Sequence, residues 1–202
     1  MYFLATIITK IKNETNIKII FLKIKQYLKM KPINIPECLR EEKFLARKIA
    51  FAKNRKEIDS IKKEWIADKV FIKSNTGVKL WTPELYTGKD IIPEDTEYFV
   101  SEHLYFASEW RCFVYRGQLK GIKHYLDDEW IMPNKEFVED CIKTIGNSLT
   151  AYTLDVGVTK DGRTAVIEVH NFLSCGLYGF ESQTILPMLI NAFKYELNKK
   201  PD

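Results

Sequence analysis

The sequence predicts an α+β fold built on antiparallel sheets. Three observations carry this. Short β-rich runs fill residues 69–170, turn signals join neighbouring runs, and the helical stretches do not alternate regularly with the strands. Regular strand–helix alternation would have pointed to a parallel sheet instead.

The 202 residues suffice for one medium domain or two small lobes sharing a cleft. Hydrophobic residues make up 46% and charged residues 29%, a balance that excludes disorder as the main state. The net charge of +4 is unevenly spread: residues 1–31 hold seven lysines and one glutamate, and the rest of the chain is slightly acidic. A basic segment of this kind docks on nucleic acid or on an acidic membrane, or it is a solvated face beside a partly buried strand. The solvated face is the plainer reading, and a nucleic-acid partner is not expected. The four cysteines, Cys38, Cys112, Cys141 and Cys175, show neither CxxC pairing nor zinc-type Cys–His spacing, as in reduced cytoplasmic chains. No run reaches the ~18 apolar residues of a membrane span. The opening MYFLATIITKIK lacks the basic start and the small-residue cleavage site of a signal peptide.

Taken in order, residues 1–8 are β-prone, and 17–30 mix lysines with an Ile17, Ile20, Phe21, Ile24 stripe that leaves helix and strand both open. Pro32 and Pro36 mark a linker. Residues 37–65 read as one helix, with Leu39, Phe44, Ile49 and Phe51 inside. Strands are predicted over 69–74, 98–104, 110–115 and 119–126, the last two joined at Arg116–Gly117. Asn134 caps a helix over 135–148. Strands at 151–159 and 164–170 flank the turn Lys160–Arg163, a glycine-bearing loop follows at 174–179, and 182–198 form an amphipathic helix with Ile185, Leu189, Ala192, Phe193 and Leu197 on one side. The aromatic residues Trp65, Trp81, Tyr86, Phe99, Tyr105 and Phe106 read as core, and His103 and His124 as satisfied histidines.

The hairpin 151–170 is the most informative stretch. Alternation puts Tyr152, Leu154, Val156 and Val158 on one face and Thr153, Asp155 and Gly157 on the other. On the partner strand Glu168 and His170 share a face, and Ile167 and Val169 point away. Asp155, Glu168 and His170 then converge, and two carboxylates with a third polar ligand suit Mg²⁺. A solvent-facing sheet with incidental acids gives the same pattern. Lys73, Arg111 and Lys123 each interrupt an apolar strand. A cation there needs an anion, either phosphate oxygens or a local carboxylate such as Glu109 or Glu102 for Arg111.

The ordered runs VFIKS (70–74), FVSEHLYFASEWRCFVY (99–115), GIKHY (121–125), YTLDVGV (152–158) and IEVHNFLSCGLYGF (167–180) resemble the ATP-grasp superfamily, in particular a small divergent clade of bacteria and phages. The resemblance covers roughly 65–195. It implies an ATP-grasp domain over 65–202, preceded by a reduced region over 1–64. It also implies two lobes with antiparallel sheets and a nucleotide cleft between them. Lys73 and Lys79 match lysines that contact phosphates, and Glu102 falls at the adenine–ribose hinge. Arg111 and Lys123 face the γ-phosphate and the activated substrate, and Asp155 and Glu168 match the Mg²⁺ carboxylates. The third ligand is usually an asparagine where this chain has His170, with Asn171 next. Either Asn171 takes its place, or the metal shifts toward Mn²⁺, or catalysis is weakened. The implied activity is ATP-dependent joining of a carboxylate to an amine through an acylphosphate, on a peptide or protein. The rival readings are a nucleotide-binding protein that does not turn over, and a basic interaction protein acting through residues 1–31.

Overall fold

A computed structural model describes residues 30–78 and 80–198. The expectations for residues 1–29, and for Lys79, lie outside them. Among the described residues, two four-stranded antiparallel sheets form the frame. The first contains β1 (Ile49–Ala52), β2 (Val70–Ser74), β3 (Glu84–Tyr86) and β4 (Tyr98–Glu102), in the order β1-β4-β2-β3. The second contains β5 (Phe106–Tyr115), β6 (Gln118–Asp127), β7 (Ala151–Thr159) and β8 (Thr164–Asn171), in the order β6-β5-β7-β8.

The expected single helix over 37–65 is instead a 3-10 turn at Glu37–Leu39, a short helix α1 (Glu42–Leu45), β1, and a helix α2 (Arg55–Glu64). Ala46 takes the left-handed conformation (φ 51°) and ends α1. Ile49–Ala52 then pairs with Tyr98–Ser101, a long-range partner that no local pattern displays. Asn54 restarts the helix by accepting a hydrogen bond from the Glu57 backbone N–H. β1 stands before residue 64 and β2–β4 after it, yet they share one sheet.

Other elements follow the sequence closely. Asn134 caps α3 (Lys135–Ile145) through the Phe137 N–H at 2.9 Å. Arg116 and Gly117 both have positive φ (51° and 67°), as a two-residue hairpin requires. The last helix, α4 (Ile185–Asn198), buries Met188, Ala192 and Glu196, whereas Leu197 is half exposed rather than inward. Tyr86 and Phe99 are core, but Tyr105 is exposed and Phe106 lines the cleft.

Among the described residues, three apolar clusters hold the frame. α2 packs Ile58 against Val70, Ile72 and Val100 of the first sheet. α3 packs Val138, Cys141 and Ile142 against Tyr152, Leu154 and Val156, the predicted inner face of β7. α4 packs Met188 and Ala192 near Phe113, Tyr115 and Ala151. α4 therefore covers one end of the opposite face of the second sheet. The other end of that face is left as a cleft toward the first sheet.

The outer edge of β8 is partly closed. Asn34 forms a bridge with Val169, whose N–H donates to the Asn34 carbonyl at 2.6 Å. Arg47 donates to the carbonyls of Val166 (2.7 Å) and Ile167 (3.1 Å). These contacts use backbone groups that an open sheet edge would expose.

Candidate active site

Alternation along β5, β7 and β8 delivers one polar group per strand to the cleft. Arg111, Asp155 and Glu168 stand in register across three adjacent strands. Asp155 is buried and receives two parallel bonds from Arg111, Nε to Oδ1 at 2.8 Å and Nη2 to Oδ2 at 2.6 Å. The expected alternatives for Arg111, Glu109 and Glu102, are not its partners. Arg111 also donates to the Gly176 carbonyl (3.1 Å) and lies against the rings of Tyr125 and Tyr178.

Lys73, from the first sheet, reaches across the cleft to pair with Glu168 and lies over the Phe99 ring. The His170 Nε2 bonds Glu168 Oε1 at 2.6 Å and stands 3.6 Å from Asp155 Oδ2. Ligand atoms of Asp155, Glu168 and His170 lie within 4.8 Å of one another. Two carboxylates and an imidazole at that spacing fit a divalent cation, with one donor softer than Mg²⁺ prefers.

Burial alone would raise the Glu168 carboxyl, but Lys73 and His170 hold it well below the usual carboxylate range. Burial alone would lower His170, but Glu168 and Asp155 push it up to about 9. At neutral pH the imidazole is therefore a cation inside the acidic pair. The cations suited to phosphate and the acids suited to metal neutralise one another across the cleft.

Asn171 is not part of this group. Next to His170 on the strand, it faces the other way. Its side-chain Nδ2 donates to Glu196 at 2.7 Å and its side-chain Oδ1 accepts from the Leu173 N–H at 2.8 Å. Lys123 is directly opposite Arg111 on β6 and half-buried, but it does not line the cavity. Glu102 ends β4 at the cavity's other end, next to His103 and Leu104, and accepts from the Lys48 N–H at 2.8 Å.

Ile167, Tyr125 and Arg47 are among the residues that line this cavity and that the sequence did not place there. Strict alternation points Ile167 away. A β-bulge pairs Asp155 with Glu168 but Val156 with Val166, so Ile167 is the extra residue and turns into the cleft. Tyr125 is likewise the extra residue where Glu109 pairs with Leu126 and Trp110 with His124. Arg47 comes from the loop after α1, and burial pushes its guanidinium down to about 10 against the pull of Glu168 and Glu109. Glu109 also faces this cavity. Burial raises its carboxyl, the Tyr125 hydroxyl bonds it and opposes the rise, and Asp127, Asp155 and Glu168 add to it. Among the described residues no cation lies within ion-pair distance of Glu109. Bulges and long-range loops leave no periodic signal. Only the E-x-R spacing of Glu109 and Arg111 hints at a shared face.

The sequence profile of the ATP-grasp domain of the R-two-K clade, family 2, matches residues 44–188. The chain belongs to this ATP-grasp family. Solved structures agree on the fold. The ATP-grasp ligase PsnB with a minimal precursor superposes with a TM-score of 0.54 at 15% identity, covering 76% of this chain and 57% of that one. The macrocyclase MdnC with precursor peptide MdnA, from Microcystis aeruginosa MRC, gives 0.53 at 14% identity, covering 87% and 60%. The ADP complex of PurK, an N5-carboxyaminoimidazole ribonucleotide synthetase, gives 0.56 at 10% identity, covering 81% and 52%. The chain thus spans less than two thirds of each. A comparison with curated proteins finds no match. Among the described residues no helix is long and apolar enough to cross a membrane.

Proposed function

We propose that this ATP-grasp domain is an ATP- and Mg²⁺-dependent carboxylate–amine ligase that works through an acylphosphate, on a peptide or protein. One observation carries the reading: Lys73, Arg111, Asp155, Glu168 and His170 share one cavity that runs to Glu102, His103 and Leu104. That cavity, about 470 Å³, is of the size expected for a small-molecule site. The purine lies at the Glu102 end, and Glu109, which has no cation partner among the described residues, accepts bonds from ribose hydroxyls. Lys73 and Arg111 turn from their carboxylates to the phosphates, while Asp155, Glu168 and His170 hold the metal. A bound divalent ion supplies charge neutralisation at the phosphates. Mn²⁺ is the alternative ion, since the imidazole is a softer donor.

A substrate carboxylate oxygen attacks the γ-phosphorus, forming an O–P bond as the bond to the β-phosphate oxygen breaks and ADP leaves. An amine then attacks the acyl carbon, the C–N bond forms, and phosphate departs with the electron pair of the broken C–O bond and takes up the proton that the amine nitrogen releases. The protein contributes position and fixed positive charge. The ATP-grasp ligase PsnB, seen with a minimal precursor, and the macrocyclase MdnC, seen with a precursor peptide, support this substrate class.

A non-catalytic nucleotide-binding protein is the second reading, favoured by His170 holding both acids as a cation. Melting curves decide the first step. With Mg²⁺ and ATP at millimolar concentration the wild type melts higher, and Glu168→Gln removes the shift. An unchanged wild-type curve rejects both nucleotide readings, and ADP release with a peptide library separates turnover from binding.

A further inference from the structure

We infer that a second cavity, on the far side of Lys73, is the subsite for the carboxylate substrate, and that it selects a carboxylate with an apolar group beside it. The inference rests on the ligase reading and names the substrate class of that same site. Two cavities meet at Lys73, Pro83, Glu168 and His170. The first runs to the Glu102 hinge and takes the nucleotide. The second, about 460 Å³, runs the other way, beneath the loop after β2 and toward Pro32 and Asn34. A molecule that meets the terminal phosphate without displacing the purine approaches from this second side.

The lining decides what that molecule is. Pro32, Val78, Leu80, Trp81 and Pro83 present hydrocarbon. Most polar groups of the wall are engaged within the protein. The Asn34 amide bonds Asn75, and the Ser74 hydroxyl bonds Thr76. The Trp81 Nε1–H donates to Asp95 at 3.1 Å, which fixes the indole, and the ring tilts against Tyr98. A polar ligand body entering here loses its hydration and gains few partners. An apolar body gains burial against Leu80, which is 62% exposed. The Lys73 ammonium, at the shared mouth, draws the carboxylate end toward the nucleotide. A peptide ending in a hydrophobic residue has this shape.

The test uses the full chain labelled with 5-fluorotryptophan, whose four tryptophans give separate ¹⁹F signals, with Trp81 assigned from Trp81→Phe. The protein is loaded with Mg²⁺ and a non-hydrolysable ATP analogue, then titrated with N-acetyl-leucine, N-acetyl-aspartate and N-acetyl-leucinamide. N-acetyl-leucine is expected to move the Trp81 signal saturably, with at least tenfold weaker effects from the other two. Leu80→Asp is expected to erase that preference and leave nucleotide affinity unchanged. Equal responses to the three probes, no response to N-acetyl-leucine in nucleotide-loaded protein, or a silent Leu80→Asp change overturns the inference alone. Failure of the protein to bind nucleotide removes the ligase reading, and the inference with it.

Discussion

Raising the pH removes a charge around which the site is organised. His170 donates to Glu168 and stands beside Asp155; burial alone would lower its pKa, but these acids raise it to about 9. In the unfolded chain a histidine titrates near ~6.5. The folded state therefore holds this proton more tightly. Its stabilisation is fully present below about pH 6.5 and is lost as pH rises through about 9. A difference of about 2.5 pH units corresponds to roughly 3 kcal/mol. For a domain of this size that is about 6–12 °C in melting temperature. The assay is thermal unfolding of metal-free, nucleotide-free protein between about pH 6 and 9.5, beside His170→Asn. Lysines, tyrosines and cysteines also titrate in this range, so the difference between the two proteins is the measure. The wild type should lose that amount relative to the variant across the window. Parallel curves would refute the reasoning, because they would mean that His170 is neutral in the fold.

Three further outcomes follow from the same geometry. Divalent-ion affinity should rise about tenfold per pH unit below about pH 9, because His170 must release its proton before it donates a lone pair; calorimetry that finds no slope speaks against imidazole ligation. Asp155→Asn leaves the buried Arg111 guanidinium without its charge partner and should destabilise by about 3–5 kcal/mol in urea titrations, besides removing the Mg²⁺–ATP melting shift. Gly157→Ala puts a Cβ 2.2 Å from the Phe106 ring, an overlap expected to cost about 1–3 kcal/mol and to reshape the cavity that Phe106 lines; wild-type stability in this variant would show that Phe106 turns away freely.

The sequence by itself determined whatever rests on period and on local chemistry. Alternation along β7 and β8 was enough to bring Asp155, Glu168 and His170 to one face, because a strand allows its side chains only two directions. Asn134 and the turn at Arg116–Gly117 were legible because their conformational needs are local. Only the tertiary structure decided the rest. The pairing of Ile49–Ala52 with β4 overrode a helical composition, since burial between strands outweighs the small helix propensities of a few residues. The bulges that turn Ile167 and Tyr125 into the cleft arise from register between strands, and the reach of Lys73 and Arg47 to β8 arises from packing of one sheet on the other. Which cation neutralises which carboxylate is a property of distance in three dimensions, and one-dimensional spacing holds no record of it.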